Sequence, residues 1–245
     1  MDKKINDFFH APTMMFGDHA DGKITVVTAL HLATALTNIS GYGIYMVDYE
    51  KKKVFFMSDN IAKWCGLPPE KADNYDEYVK CVPDADYKML VEINEAAFKF
   101  LRQKPDDEIM QYTLSYNFHL NKLLIHQYFT PVVATNGVIK IGLFVLTVPS
   151  GRESGLITMR KHGDADFYEY SRLKKYWEHR EGIVLTDIEQ KVLWLSAQGN
   201  TVEQIGEAVS KSPDAVKNYK KRLFKKLNVT TISEALIYAM NNRML

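Results

Sequence analysis

The stretch SPDAVKNYKKRLFKKL, residues 212–227, decides how the last part of the chain folds. Ser212 is a good helix N-cap, Pro213 suits the first helical position, and Asp214 places an acid in the first turn. At about 100° per residue, the apolar side chains of the stretch fall on one helical face. The residues of that face are Val216, Tyr219, Leu223 and Leu227, with Phe224 at its edge. The spacing predicts an amphipathic helix over residues 213–227 that packs on neighbouring elements.

The polar side chains of the same helix fall on the opposite face. Between Ser212 and Asn228 the chain has six Lys or Arg residues against one Asp, a net charge of +5. Lysine ammonium groups neutralise DNA phosphates, and Asn and Lys can both reach base edges. A solvated helix face without a partner is the alternative interpretation. The residues on this predicted basic face are Lys217, Asn218, Lys221 and Lys225.

Capping signals predict three more helices around this one. A hydroxyl residue is followed three positions later by Glu or Gln in three places, the pattern of a capping box. These pairs are Thr186 with Glu189, Thr201 with Gln204, and Thr231 with Glu234. The predicted helices cover residues 186–198, 201–210, 213–227 and 231–242. Only Lys211 and Ser212 separate the second helix from the third, as a helix-turn-helix requires.

The residues that carry these signals also carry a family resemblance. The pattern Leu185-Thr186-x-x-Glu189-x-x-Val192-Leu193, then Ala197-x-Gly199-x-Thr201, Ile205, Ser212-x-x-Ala215-Val216-Lys217-x-Tyr219, Lys226-Leu227-x-Val229 and Ala235 resembles the LuxR/FixJ-type DNA-binding domain. The resemblance covers about residues 183–242. It implies a four-helix domain whose third helix enters the major groove of double-stranded DNA and whose fourth helix often dimerises.

The resemblance assigns DNA-contacting positions residue by residue. Lys217, Asn218 and Lys221 fall on base-facing positions, and Thr201 opens the supporting helix. Lys220 stands where an apolar residue is common, so we expect its stem to lie along the packing edge with its charge on phosphate. The full predicted DNA-binding set is Lys217, Asn218, Lys220, Lys221, Lys225 and Thr201. Ala215 and Gly206 depart from the usual Thr and Ala of the family, which leaves the operator sequence open.

Composition restricts the class of the whole protein. The chain has 245 residues, a net charge of +1, 46% hydrophobic and 25% charged residues, as ordinary soluble globular proteins have. No run approaches the roughly 18 apolar residues of a membrane span, and the N-terminus resembles no secretory signal. Cys65 and Cys81 match no zinc spacing and cannot staple a fold. We therefore expect a cytoplasmic protein that needs no membrane.

The rest of the chain alternates helical and strand patterns. An arm at 1–23 precedes a helix at 24–39, strands at 42–48 and 54–58, short helices at 60–65 and 75–82, a longer helix at 84–102, and strands at 109–118, 123–133 and 138–148. The order of elements, with Val82-Pro83-Asp84-Ala85-Asp86 leading into the longer helix, resembles a PAS domain over about 24–148. The resemblance implies a five-stranded antiparallel sheet with helices on one face; a generic α+β sensor fold is the alternative.

The predicted fold class is therefore α+β, with a PAS-like sheet followed by an all-α helix-turn-helix domain. The predicted domains are an N-terminal arm at 1–23, a PAS-like sensor at 24–150, a connector at 151–182 that could form a β-hairpin, and a LuxR-type domain at 183–245.

PAS domains hold ligands between sheet and helices, or dimerise through the sheet. Alternation along the strands gives a candidate cavity lining of Tyr45, Val47, Phe55, Met57, Tyr112, Leu114, Tyr116, Phe129 and Leu143. The alternative is a filled core without a ligand. No cofactor is identified: a haem-binding variant needs a His on the helix at 84–102, and a flavin photosensor needs a cysteine motif that residues 60–65 do not match. An unknown small molecule is the ligand that remains.

Chemistry-bearing motifs of other classes are missing from the sequence. His119 and His126 lie on adjacent predicted strands, but a third metal ligand is not found, so no metal site is predicted. There is no phosphate loop, no Gly-x-Ser-x-Gly elbow and no His-Glu-x-x-His. The sequence therefore predicts a regulator rather than an enzyme.

Together these patterns predict a transcriptional regulator in which a PAS-like sensor controls a DNA-binding domain. We expect a homodimer on a two-fold-symmetric site, because such proteins match palindromic DNA. The helix at 24–39 and the last helix are the candidate dimer surfaces, with packing inside each domain as the alternative. The rival function is a ligand-binding or protein-interaction module without sequence-specific DNA binding.

Overall fold

The structure is a computed structural model that divides into two compact units. It describes residues 26–71, 74–147, 149, 156–242 and 244–245. The N-terminal unit contains the described residues up to Arg180, and the C-terminal unit those from Glu181 onward. The arm predicted at 1–23 lies outside the described residues. In the described parts of the chain, the search for a helix long and apolar enough to cross a membrane finds none.

The N-terminal unit contains five α-helices, one short 3-10 helix (Pro69–Lys71) and eight strands among its described residues. They are α1 (Val26–Ser40), β1 (Gly43–Asp48), β2 (Lys53–Met57), α2 (Asp59–Cys65), α3 (Tyr75–Lys80), α4 (Asp84–Leu101), α5 (Asp106–Ile109), β3 (Tyr112–Leu120), β4 (Leu123–Thr135), β5 (Val138–Thr147), β6 (Thr158–Lys161), β7 (Phe167–Ser171) and β8 (Tyr176–Arg180). The sequence pattern does not predict α5, a single helical turn from Asp106 to Ile109 that follows Pro105. The strand predicted to begin at residue 109 therefore begins at Tyr112.

All eight strands form one antiparallel sheet in the order β2-β1-β5-β4-β3-β6-β7-β8. Strands β1 to β5 make the PAS-like sheet that the sequence predicts. The predicted count of five strands is wrong, because the segment predicted as a connector at 151–182 supplies β6, β7 and β8. Strand β6 pairs along the outer edge of β3, from Tyr112 opposite Lys161 to Ser115 opposite Thr158. An isolated hairpin is marginal in water, whereas pairing to an existing sheet satisfies its backbone groups.

Aromatic contacts explain why the added strands stay on the sheet. The indole Nε1 of Trp177 on β8 donates to the carbonyl of Ala96 on α4 at 3.2 Å. The Phe100 ring lies 4.9 Å from Tyr168 and 5.4 Å from Trp177, centroid to centroid. Helix α4 has 18 residues and is therefore about 27 Å long, which lets it cover both the PAS-like strands and the added ones.

The two faces of the sheet have different covers. The main core joins α2, α3, α4 and α5 to inward side chains of the sheet, including Tyr116 and Phe129. On the other face, Ala33 of α1 packs with Ile44 and Met46 of β1. Alternation along β1 thus sends successive side chains into two separate apolar clusters.

The C-terminal unit is all-helical. Its helices are α6 (Asp187–Ala197), α7 (Val202–Val209), α8 (Pro213–Leu227) and α9 (Ile232–Asn241). All three predicted capping boxes form, at Thr186, Thr201 and Thr231. Each box satisfies two backbone groups that a helix start leaves unpaired, so local chemistry sets the helix starts. The four predicted helices are therefore confirmed.

Candidate nucleic-acid interface and sheet cavity

Helix α8 is positioned by its two ends and by one buried face. The Ser212 hydroxyl accepts from the Ala215 N–H at 3.2 Å, and Asn228 ends the helix in the left-handed conformation at φ 53°. Val216, Leu223 and Leu227 are buried, as the helical period predicts. These three side chains pack against α6, α7 and α9, and the other face of α8 is exposed.

The basic face is exposed in the structure. Lys217, Asn218, Lys221 and Lys225 are all exposed, while Lys220 is half-buried. Half-burial of Lys220 fits a side chain whose stem lies along the packing edge. The Thr201 side chain caps the start of α7, because its hydroxyl accepts a hydrogen bond from the Gln204 N–H at 3.3 Å.

Two cations of α8 already have carboxylate partners. Lys217 Nζ lies 3.2 Å from Asp214 Oδ1, and Lys226 Nζ lies 2.7 Å from Glu189 Oε2 on α6. Burial alone would raise the pKa of the Glu189 carboxyl, but hydrogen bonds from Lys226 and Thr186 outweigh burial and lower that pKa. Lys226 therefore joins α8 to α6, whereas Lys217 pairs within the exposed surface.

Gly206 sets how closely α7 approaches the turn before α8. A Cβ at this position would lie 2.6 Å from the Lys211 carbonyl oxygen, closer than real contacts allow. The Lys211 N–H donates to the Gly206 carbonyl at 2.8 Å, so the same residues close the turn. This contact explains why glycine stands where the family usually has alanine.

Gly206→Ala is expected to destabilise the C-terminal unit. The added methyl must displace backbone, at about 1–3 kcal/mol, which exceeds the gain in helix propensity of about 1 kcal/mol. Chemical denaturation of the full chain, followed by circular dichroism, measures the change. Glu207→Ala, at an exposed position of the same helix, is the matched control and is expected to be nearly neutral. Unchanged or increased stability of Gly206→Ala would contradict the contact.

A cavity lies between the sheet and helices α3 and α4. Its interior has room for about one water-sized molecule, a volume of about 20 Å³, and it opens to solvent. The Tyr45 hydroxyl donates to Gln127 Oε1 at 3.2 Å, and Gln127 Nε2 donates to the Tyr116 hydroxyl. The Tyr45 ring stacks on Phe144 with centroids 4.3 Å apart. The cavity therefore combines flat aromatic walls with a short chain of polar groups.

The cavity is electrically neutral. The lining residues that the structure describes include no Asp, Glu, Lys, Arg or His. Burial raises the pKa of the Tyr45 and Tyr78 hydroxyls well above the ordinary value, and neighbouring tyrosines raise it further. These hydroxyls stay protonated, so the wall offers hydrogen bonds without charge.

Three of the nine predicted lining residues line the cavity, namely Tyr45, Val47 and Tyr116. Four others, Met57, Tyr112, Leu114 and Phe129, lie in the same core without lining it.

The expectation is wrong for Phe55 and Leu143, which pack in the cluster on the other face of the sheet. A bulge causes the first error, because Met46 pairs with Phe56 and Val47 with Val54, so Phe55 is an extra residue. Leu143 pairs with Met46 and faces the same way.

Among the described residues, ten more that the sequence pattern does not predict line the cavity. They are Tyr49, Val54, Tyr75, Tyr78, Val79, Val82, Leu90, Asn94, Gln127 and Phe144. The signal for Gln127 was present, since an amide stands between Ile125 and Phe129 at an inward position of β4. Tyr75 and Tyr78 are three residues apart on α3 and therefore share a helical face.

The two candidate histidines have separate partners. His119 Nδ1 lies 2.8 Å from Asp86 Oδ2, whereas His126 Nδ1 lies 2.5 Å from Asn117 Oδ1. Burial lowers the pKa of His126 to about 4, so its ring is neutral at physiological pH. Among the described residues, no three His, Cys, Asp or Glu side chains gather as a metal ion requires.

Comparisons with known proteins add a family and three structural likenesses. Residues 183–239 match the bacterial regulatory proteins, luxR family. The phage VqmA–DPO complex is 14% identical over 88% of this chain and 89% of that one, with a TM-score of 0.35. The Vibrio cholerae VqmA dimer without target DNA is 12% identical over 90% of this chain and 89% of that one, with a TM-score of 0.31. The Vibrio cholerae VqmA–ligand–DNA complex is 12% identical over 86% of this chain and 86% of that one, with a TM-score of 0.33. No curated protein matches the chain.

The matched range begins just before α6 and ends within α9. It therefore contains the complete α7–turn–α8 unit and the exposed basic face on α8. The chain carries, over residues 183–239, the helix-turn-helix domain of the luxR family of bacterial regulatory proteins.

Proposed function

We propose that this chain is a sequence-specific DNA-binding transcriptional regulator that acts in the cytoplasm as a homodimer. The observation that carries the proposal is the exposed basic face of α8 within a luxR-type helix-turn-helix domain. Such a helix docks in the major groove, where its first residues meet base edges and its later cations meet phosphates. Two copies would bind a two-fold-symmetric site.

Selection of bound fragments from fragmented host DNA, at physiological salt, tests the proposal. The full-length chain should enrich a short site with approximate two-fold symmetry. A variant with Lys217, Lys221 and Lys225 all changed to Ala is the control, because it removes charge and leaves the buried face intact. If the wild-type chain enriches nothing above this control, the rival function as a protein-interaction module is favoured.

We also propose that the N-terminal unit, as a sensor domain, controls the DNA-binding domain through the sheet cavity. The uncharged lining, with Gln127 and the tyrosine hydroxyls as hydrogen-bonding groups, suits a small uncharged polar molecule. An ionised ligand would lose its hydration without gaining a counter-charge there. Mass spectrometry of small molecules released from the purified chain tests this step. Gln127→Leu, which keeps the volume and removes the amide, should abolish retention of any such molecule.

Asn218→Ala is expected to weaken binding to the selected site by about 1–3 kcal/mol, because an Asn that pairs with a base edge loses both hydrogen bonds. Affinity for random DNA should hardly change. Fluorescence anisotropy on both DNAs, with Lys191→Ala on the exposed surface of α6 as the control, measures the difference. Equal loss on both DNAs would mean that Asn218 contacts only the backbone.

A further inference from the structure

An acidic side chain stands at the front of the basic helix. Asp214 is the second residue of α8, and its side chain is 87% exposed. Its Oδ1 lies 3.2 Å from Nζ of Lys217, one helical turn later, whose side chain is 63% exposed. An acceptor and a donor are thus held side by side at the end of the helix that meets base edges first.

A carboxylate in this place is unfavourable near DNA unless it meets a specific donor. Phosphates repel Asp214, and most major-groove groups are acceptors that offer it nothing. The donors in the major groove are the amino groups of cytosine and adenine, and Asp or Glu accepts typically from cytosine N4. Lys217 complements this preference, because an ammonium donates to guanine O6 and N7.

We propose that Asp214 and Lys217 together read one C·G base pair, with Asp214 accepting from the cytosine amino group and Lys217 donating to the guanine of the same pair. The inference rests on the proposed DNA-binding function and makes Asp214 a specificity-determining residue. In the free protein the charges of the two side chains neutralise each other. When DNA binds, the contacts to the base pair replace the contact between the two side chains.

The competing account gives Asp214 only a structural role. An acid in the first turn stabilises a helix dipole and can pair with a lysine three residues on. That role predicts that replacing Asp214 changes the affinity for every DNA sequence by the same factor, whatever the base pair.

Site selection with three proteins separates the two accounts. The wild-type chain should enrich a C·G pair at one position of each half-site. Asp214→Asn should lose about ten-fold or more of that preference and gain preference for adenine, which Asn pairs with. Glu207→Gln, the same charge change at an exposed position of α7, should keep the wild-type site. A thermal melt of each protein confirms that it is folded.

A base analogue isolates the single hydrogen bond. When 2-pyrimidinone replaces that cytosine, the amino group is lost, so the wild-type affinity should fall about ten-fold. Asp214→Ala should bind both DNAs equally. A cytosine preference that survives in Asp214→Asn, or an equal fall for Asp214→Ala on the analogue, would overturn this inference alone. Enrichment of no site by the wild-type chain would overturn the proposed function itself.

Discussion

Leu223→Ala is expected to lower the free energy of unfolding of the C-terminal unit by about 2–5 kcal/mol. Leu223 is 0% exposed and lies in one core with Leu193, Leu227 and Ala235. Truncation removes apolar contacts and leaves a cavity that four short helices have little freedom to fill. A domain of this size has only about 5 kcal/mol to lose, so the variant should be partly unfolded at physiological temperature.

Two measurements check this result. Denaturant unfolding monitored by circular dichroism gives the stability, and anisotropy gives DNA binding, which should be lost in step with folding. Lys221→Ala, two residues away on the exposed face, should keep stability and lose affinity. A loss of stability below about 1 kcal/mol for Leu223→Ala would show that this core relaxes around the missing atoms.

The affinity for DNA is expected to fall steeply as salt rises from 50 to 200 mM. Helix α8 carries six Lys or Arg side chains, of which Lys217 and Lys226 pair with carboxylates. Neutralising about four phosphates with the other cations gives a slope of about −4 in a plot of log affinity against log salt. Affinity should therefore drop about 10²-fold per DNA-binding domain over that range. A dimer that engages two half-sites should double the slope.

Anisotropy titrations in potassium chloride, with a duplex containing the selected site, measure this slope. Lys225→Ala should reduce it by about one unit per domain if Lys225 meets phosphate. Lys191→Ala on α6 should leave it unchanged. A slope near zero would contradict the phosphate-contacting role of α8 and favour the protein-interaction module.

The helical unit could be predicted almost completely from sequence, because its determinants are local. The start of each of three helices is determined by residues within one turn, because the capping Thr meets its partner three residues later. The capping residues are Thr186, Thr201 and Thr231. The apolar period of α8 likewise places its buried face without reference to distant residues. The tight approach at Gly206 was not predicted, since the Lys211 carbonyl position depends on the folded turn.

The sheet was less predictable because its decisive contacts are not local. Tyr112 and Lys161 pair although they are far apart in sequence, and no local pattern shows that β6 continues the edge of β3. The bulge at Phe55 likewise depends on the register with β1 and reverses which side chains face the cavity. The polar cavity wall could have been found in part, since Gln127 interrupts an inward apolar row.

Because β8 ends at Arg180 and Ile183 already packs in the core of the helical unit, the tether between the two units is only Glu181 and Gly182. Three Cα steps lead from Arg180 to Ile183, so this segment spans at most about 11 Å even when it is fully extended. The chain thus passes from the last residue of the sheet to the first core residue of the helical unit within three residues.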